Sequence, residues 1–385
     1  MLRQRWAIGE TVAALSLAVL MLTPFGRAAQ LAIKITGPEQ AVFSHSRDAC
    51  RPDDTPDAPA RAFRDAEGRV HLFASTFVNY ASIGRSLDSV KRDCHVVFEG
   101  TGNDDPAQFN DRQWLSSFWT DDGRTVYALA HDEFQANRRP SLCPSRAYFR
   151  CWYNAATAEI STDGGFHFTT EGLVAAPIRR FDPAVGHPVG YFNPSNIVKL
   201  GAYYYAVVFA GPSGPQRRGV CLLRTRSLTR PRSWRAWGGF HFDIRLGNPY
   251  RGRASERGCE VLAPAALKSH VWSLFLNPPT NRFIALTEQD GPNPAIMFSD
   301  STDLLSWSDP RMLVREPVAT SGTCTGRALI AYPSVLDPRS TSSNFEVVGK
   351  TAYLYFTRFR FSHGDCGGTL DRDLVRVPIA IVGAP

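Results

Sequence analysis

Lysine is scarce in this chain. Its 385 residues hold five, at positions 34, 91, 199, 268 and 350, so the formal net charge of +7 is carried mostly by arginine. The arginines are scattered, with no basic stripe of the kind that tracks a nucleic acid, and no nucleic-acid partner is expected. No C-x-x-C pair, P-loop, dinucleotide fingerprint or G-x-S-x-G elbow occurs, which removes zinc ribbons, nucleotide-driven enzymes and serine hydrolases of the elbow type. Long helical periodicity is hard to find past residue 30, so a helical bundle is excluded too.

The first 29 residues differ from the rest. Arg3 and Arg5 precede the apolar run VAALSLAVLMLTPF (12–25), which ends in Gly26-Arg27-Ala28-Ala29. That layout predicts a signal peptide over 1–29, cleaved after Ala28 or Ala29. The run is shorter than the roughly 20 residues of a spanning helix, and no later stretch could span a bilayer, so no membrane insertion is expected after cleavage. The mature protein would be periplasmic or extracellular. Export suits the eight cysteines, Cys50, Cys94, Cys143, Cys151, Cys221, Cys259, Cys324 and Cys366, which read as disulfides. Neighbour pairing, 50–94, 143–151, 221–259 and 324–366, is the expectation.

Many glycines and prolines and plentiful aromatics suit strands and turns. One unit, a strand, a short turn and a second aromatic or β-branched strand, recurs at 59–75, 113–134, 193–210, 260–277 and 328–359. The turns DAEG, DDG and LG are hairpin chemistry, because glycine tolerates positive φ and aspartate suits the turn. Outer segments rhyme as well: AEISTDGGFHF (158–168), LLRTRSLTRPRSW (222–234) and IMFSDSTDLLSW (296–307). The first matches the Asp-box turn, Ser161-x-Asp163-x-Gly165-x-x-Phe168, a structural hairpin. Repeated four-stranded units predict an all-β, five-bladed β-propeller as one domain over 30–385, with blades near 55–100, 112–170, 191–240, 258–312 and 326–382. Ring closure removes the exposed edges that isolated hairpins would keep.

The stretch YFNPSNIV opens the third unit with polar residues, which a propeller explains if they face the mouth of its channel. Here the chain resembles the five-bladed glycoside hydrolase clan of arabinanases, β-xylosidases, invertases and levansucrases. The resemblance rests on Asp57 in TPDAPARAF, Asn193 in YFNPSNIV and Glu260 in RGCEVLAP. It implies Asp57 as base or nucleophile, Glu260 as general acid, and Asn193 where the clan places an aspartate. It also implies an oligo- or polysaccharide partner and no cofactor. Glycosidic cleavage needs a proton donor and a carboxylate on the opposite sugar face. An amide at 193 can orient a sugar or an acid but cannot raise an acid's pKa by charge repulsion.

Each residue also has a plainer reading. Asp57 beside proline is ordinary turn chemistry, and Glu260 follows a cysteine. His131-Asp132-Glu133 ends the strand TVYALAHDEF, where Glu133 is the substitute carboxylate and His131 a further binding group. Trp114 and Tyr191 are the best candidates for rings stacking on a sugar, with Asn196 beside them. The segment FSHGDCGG offers His363 and Asp365 to a cation, although a disulfide-pinned turn is favoured. Two alternatives stay open: a catalytically inactive carbohydrate-binding propeller, and a sialidase-like enzyme. The second is suggested by the Asp-box and Arg61, and requires three arginines around one carboxylate plus a Tyr–Glu pair.

Overall fold

Short apolar runs between glycine- and aspartate-bearing turns pair with their sequence neighbours. The computed structural model describes residues 31–74, 76–251, 255–319, 328–361 and 369–383. The expected signal peptide, Cys324, Cys366, His363 and Asp365 lie outside these. Strands β1 (Ala32–Ile35) and β2 (Gln40–Phe43) open the chain, followed by one helical turn at His45–Asp48. Then β3 (Arg61–Arg64), β4 (Val70–Phe73), β5 (Val78–Gly84) and β6 (Lys91–Glu99) form an antiparallel sheet in chain order. Its first turn closes on Asp65, whose Oδ1 accepts from the backbone N–H of Glu67 (3.1 Å) and Arg69 (2.8 Å).

A second antiparallel run follows: β7 (Arg112–Trp119), β8 (Val126–Gln135), β9 (Trp152–Ser161) and β10 (Thr169–Ala175). The third holds β11 (Val189–Phe192), β12 (Val198–Leu200), β13 (Tyr203–Gly211), β14 (Gly219–Thr225), β15 (Arg235–Trp237) and β16 (Phe242–Ile244). A short parallel contact between β9 and β11 joins the second and third runs into one ten-stranded sheet. Next come β17 (Val271–Asn277), β18 (Arg282–Gln289), β19 (Ala295–Ser301) and β20 (Arg311–Arg315), and last β21 (Ala328–Leu336), β22 (Thr351–Arg360) and β23 (Arg372–Val382). Both β1 and β2 pair with β23, so the last sheet draws on distant parts of the chain. The described chain is thus almost wholly β.

The core lies between successive sheets. Phe63 and Phe73 pack on Phe118 and Phe168 between the first two runs, and Phe209 and Val207 meet Leu274 and Phe283 between the third and fourth. The leading strands also touch: β3 meets β7 and β21, and β17 meets β12 and β21. Arg61 crosses this centre. Its guanidinium donates to the carbonyls of Ala60 (3.1 Å), Ser116 on β7 (2.9 Å) and Trp272 on β17 (2.6 Å). Burial lowers its pKa to about 9.

The expected Asp-box is formed: Ser161 Oγ donates to Asp163 Oδ1 (2.7 Å) and accepts from Gly165 N–H (2.8 Å). The same turn recurs at Ser301–Asp303 and, unforeseen, at Thr120–Asp122. Disulfides Cys50–Cys94, Cys143–Cys151 and Cys221–Cys259 join neighbours in sequence as expected. The hairpin expected over 260–277 is displaced. Residues 263–267 make a turn, with Ala266 and Leu267 N–H both donating to the Ala263 carbonyl, so the pair of strands there is β17–β18. Among the described residues no helix is long and apolar enough to cross a membrane.

Candidate active site

Side chains from every run are linked by short contacts near the leading strands. Alternation along β8 puts His131 and Glu133 on one face and Asp132 on the other. Asp132 is buried, neither carboxylate oxygen has a hydrogen-bond partner, and burial with Asp111 beside it pushes its pKa well up. Its charged form is thereby disfavoured.

Glu133 is buried and held at one oxygen. Gln135 Nε2 (2.7 Å) and the Tyr148 hydroxyl (3.1 Å) both donate to Oε2. Oε1 faces His131 Nδ1 at 3.5 Å. Burial, and then the nearby Asp57 charge, push the Glu133 pKa up to about 8 against the two donors, which pull it down. The protonated form is thereby favoured, and with Oε2 accepting two hydrogen bonds its proton fits on Oε1.

Asp57 lies just before β3 and is partly open, its side chain 26% exposed. The Tyr332 hydroxyl (3.0 Å) and the Arg372 guanidinium both bind its Oδ1, leaving Oδ2 without a bond among the described residues. Asp57 and Glu133 together raise the pKa of the Tyr148 phenol, after burial, so Tyr148 stays a donor.

Aromatic rings join the two acids. From Tyr332 the contacts run to Trp272 (ring centroids 5.2 Å apart), His270 (4.9 Å, stacked), Phe192 (5.9 Å) and His131 (5.8 Å). Trp152 stacks on Tyr148 at 5.0 Å, and Trp114 lies 6.1 Å from His131. His131 Nε2 donates to Asn154 Oδ1 at 3.0 Å, and the Asn193 side chain lies near the same ring. Asn193 itself adopts φ 46°, a left-handed backbone that asparagine tolerates better than most residues. The indole N–H groups of Trp114, Trp152 and Trp272 are buried without partners, so three unspent donors border this group.

The structure therefore brings together Asp57, His131, Glu133, Asn193 and Trp114. It does not bring Glu260 to them. That carboxylate is 48% exposed, pairs with Arg217, and lies beside β15 with its N–H on the Trp237 carbonyl. The leading strand of its run starts only at Val271, so Glu260 precedes the position expected of it. Tyr191 is buried with its hydroxyl on Gln216 (2.9 Å), Asn196 accepts from Leu274 N–H (3.1 Å), and Arg61 spends its donors on carbonyls. These three hold the fold. Ser195 does likewise, giving and taking backbone bonds with Val207. Sequence reasoning did not single out Tyr148, His270, Trp272, Tyr332 or Arg372, and it read Trp152 as a core ring. His270 and Trp272 carried one usable signal, since they stand at the start of the apolar strand β17.

Among the described residues no group of His, Cys, Asp and Glu could hold a metal ion. A groove of about 1450 Å3 lies elsewhere, between β10 and β16, and contains none of these acids. The unusual acids of the central group set its place better than volume does.

Buried acids and imidazoles give stability a pH optimum. Burial is the main cause that raises Glu133 and Glu159 to about 8, from 4.5, and lowers His131 to about 4 and His270 to about 3, from 6.5. A raised carboxyl favours folding fully below its unfolded value and loses that as pH rises through its folded one; a lowered imidazole favours folding above its unfolded value and loses that as pH falls. The trends oppose each other between pH 4.5 and 6.5, so the melting temperature should peak there and drop from 6.5 to 8. A melting temperature that climbs over pH 6.5–8 would contradict this account of the buried acids.

No family model matches the chain and no curated protein does. Several solved structures overlay on most of it. They include the catalytic domain of Coprinopsis cinerea GH62 alpha-L-arabinofuranosidase, at TM-score 0.47 and 10% identity, covering 91% of this chain and 97% of that one. A glycosyl hydrolase from Bacteroides ovatus gives 0.49 and 12%, covering 91% and 93%. Cellvibrio cellulosa alpha-L-arabinanase complexed with arabinohexaose gives 0.45 and 9%, covering 86% and 91%. All of these scores fall below one half, so the function rests on this chain's own side chains.

Proposed function

We propose that the protein is an exported glycoside hydrolase, a closed five-bladed propeller in which Glu133 is the proton donor and Asp57 the opposing carboxylate. The observation that carries this reading is a buried glutamic acid whose pKa is pushed up to about 8, first by burial and then by the charge of the partly open Asp57, in an aromatic-walled site. Closure is supported by the contacts between leading strands, by Arg61 reaching two of them, and by the last sheet holding strands from both β1–β2 and β21–β23. Export is supported by three disulfides and by the leader-like first 29 residues.

In the reaction, Glu133 delivers its Oε1 proton to the oxygen leaving the anomeric carbon. Asp57 Oδ2 attacks that carbon, or takes a proton from the water that does. Tyr148 and Gln135 then stabilise the glutamate anion with the same two hydrogen bonds. Asn193 lacks the charge that would lift a neighbouring acid, yet burial and Asp57 already lift Glu133, so the missing aspartate need not silence the site. A sialidase-like reading gains one feature, the Tyr148–Glu133 hydrogen bond, but loses Arg61 to backbone carbonyls.

The test is release of reducing sugar from linear arabinan, xylan and a wider glycan panel. Asp57→Asn should lower turnover by about 10²-fold or more, whereas Glu260→Gln should hydrolyse like the parent. Activity lost with Glu260→Gln but kept with Asp57→Asn would overturn the assignment, and a protein that binds glycans without cleaving any would be the inactive carbohydrate-binding propeller.

A further inference from the structure

Beside the active site runs a second groove, of about 630 Å3, with an unusual charge balance. Arg150, Arg179, Arg180 and His187 line it, against one acid, Asp182. Asp182 is already engaged, accepting from Ala184 N–H at 2.8 Å. Arg180 is partly spent on the Pro249 carbonyl (3.3 Å) and the Tyr250 ring. Arg150 and Arg179 are exposed and have no ion pair with any described residue.

Both guanidiniums lie over glycines. A Cβ on Gly214 would stand 2.7 Å from Arg179 Nε, and one on Gly186 3.7 Å from Arg150 Nη2. Both glycines have positive φ, 56° and 75°, a backbone that disfavours any replacement. At Gly214 the bare backbone makes room for the Arg179 guanidinium, and Trp152 and Phe181 join the two arginines in the lining. Trp152 connects this groove to the acids, because its ring stacks on Tyr148, which donates to Glu133.

We propose that this groove is a subsite for a sugar residue carrying a carboxylate, so that the preferred substrate is an acidic oligosaccharide. The proposal deepens the hydrolase reading and rests on it for the word substrate, though the binding part stands alone. A guanidinium fork matches a carboxylate's two oxygens, and ring faces suit the C–H faces of a pyranose. Neutral sugars would leave Arg150 and Arg179 with water alone.

The experiment is binding to immobilised glycans at physiological salt. One set bears glucuronate or galacturonate, one bears sialic acid, and each acid is matched by its neutral methyl ester. The parent protein should hold acids of at least one set and lose them on esterification. Arg150→Gln and Arg179→Gln should each weaken binding about tenfold, and the pair about a hundredfold. Arg85→Gln, an exposed arginine on another edge, should change nothing and so controls for simple ion exchange. Both groove arginines are exposed, so the variants should fold, and their melting temperatures check this. Equal binding of acid and ester, parent-like binding by the double variant, or no acid bound would each overturn the proposal. Glu133→Gln separates the two ideas: acid binding without turnover supports the subsite by itself, and turnover without acid preference removes the subsite alone.

Discussion

Glu133→Gln should bind glycans and fail to cleave them, with turnover down by about 10²- to 10⁴-fold, the usual worth of a positioned acid. Glutamine keeps the shape and can still accept from Tyr148 and Gln135, but has no proton to give. On the proposed role the parent protein adds a sharper signature. Its acid is active only while protonated, so kcat/KM should fall as pH rises through about 8. Tyr148→Phe removes a donor that favours the anion, which raises the Glu133 pKa and moves this alkaline limb to higher pH. A limb that stays in place in Tyr148→Phe, or a Glu133→Gln enzyme with parent-like turnover, would transfer the acid role to another group.

The second large effect is on stability. Arg61→Ala should lower the free energy of unfolding by about 3–5 kcal/mol, because it strips two distant carbonyls of their donor and opens a cavity at the centre. Burying the guanidinium is itself costly, as its lowered pKa shows, so replacement by an apolar side chain regains part of this. Arg61→Met, which refills most of the volume, should therefore lose less than Arg61→Ala. Arg61→Lys should recover only part of the loss, since one ammonium cannot serve Ser116 and Trp272 together in the same geometry. Chemical denaturation of the three variants gives the order, and an unchanged midpoint for Arg61→Ala would show that the tie does not hold the leading strands.

Much of this was readable beforehand because it is local. Hairpins, the Asp-box and neighbour disulfides depend on residues a few positions apart, and the polar start of YFNPSNIV announced a change of environment. Asp57 and Glu133 were legible as carboxylates next to strands. What hid was long-range. Tyr148 lies in a loop, and Tyr332 and Arg372 come from the far end of the chain; nothing beside them in sequence marks that they meet Asp57. Glu260 misled for the converse reason. A charged residue before an apolar run looks like a strand start, but the turn at 263–267 delays β17 and leaves that carboxylate on the rim with Arg217.

The pairing of β1 and β2 with β23 has a bearing on biogenesis. Strands β1 and β2 are synthesised well before β23, so their sheet keeps an open edge until β23 emerges from the ribosome. A protease or holdase would meet that open edge until β23 arrives, which makes the docking of β23 the natural checkpoint for maturation.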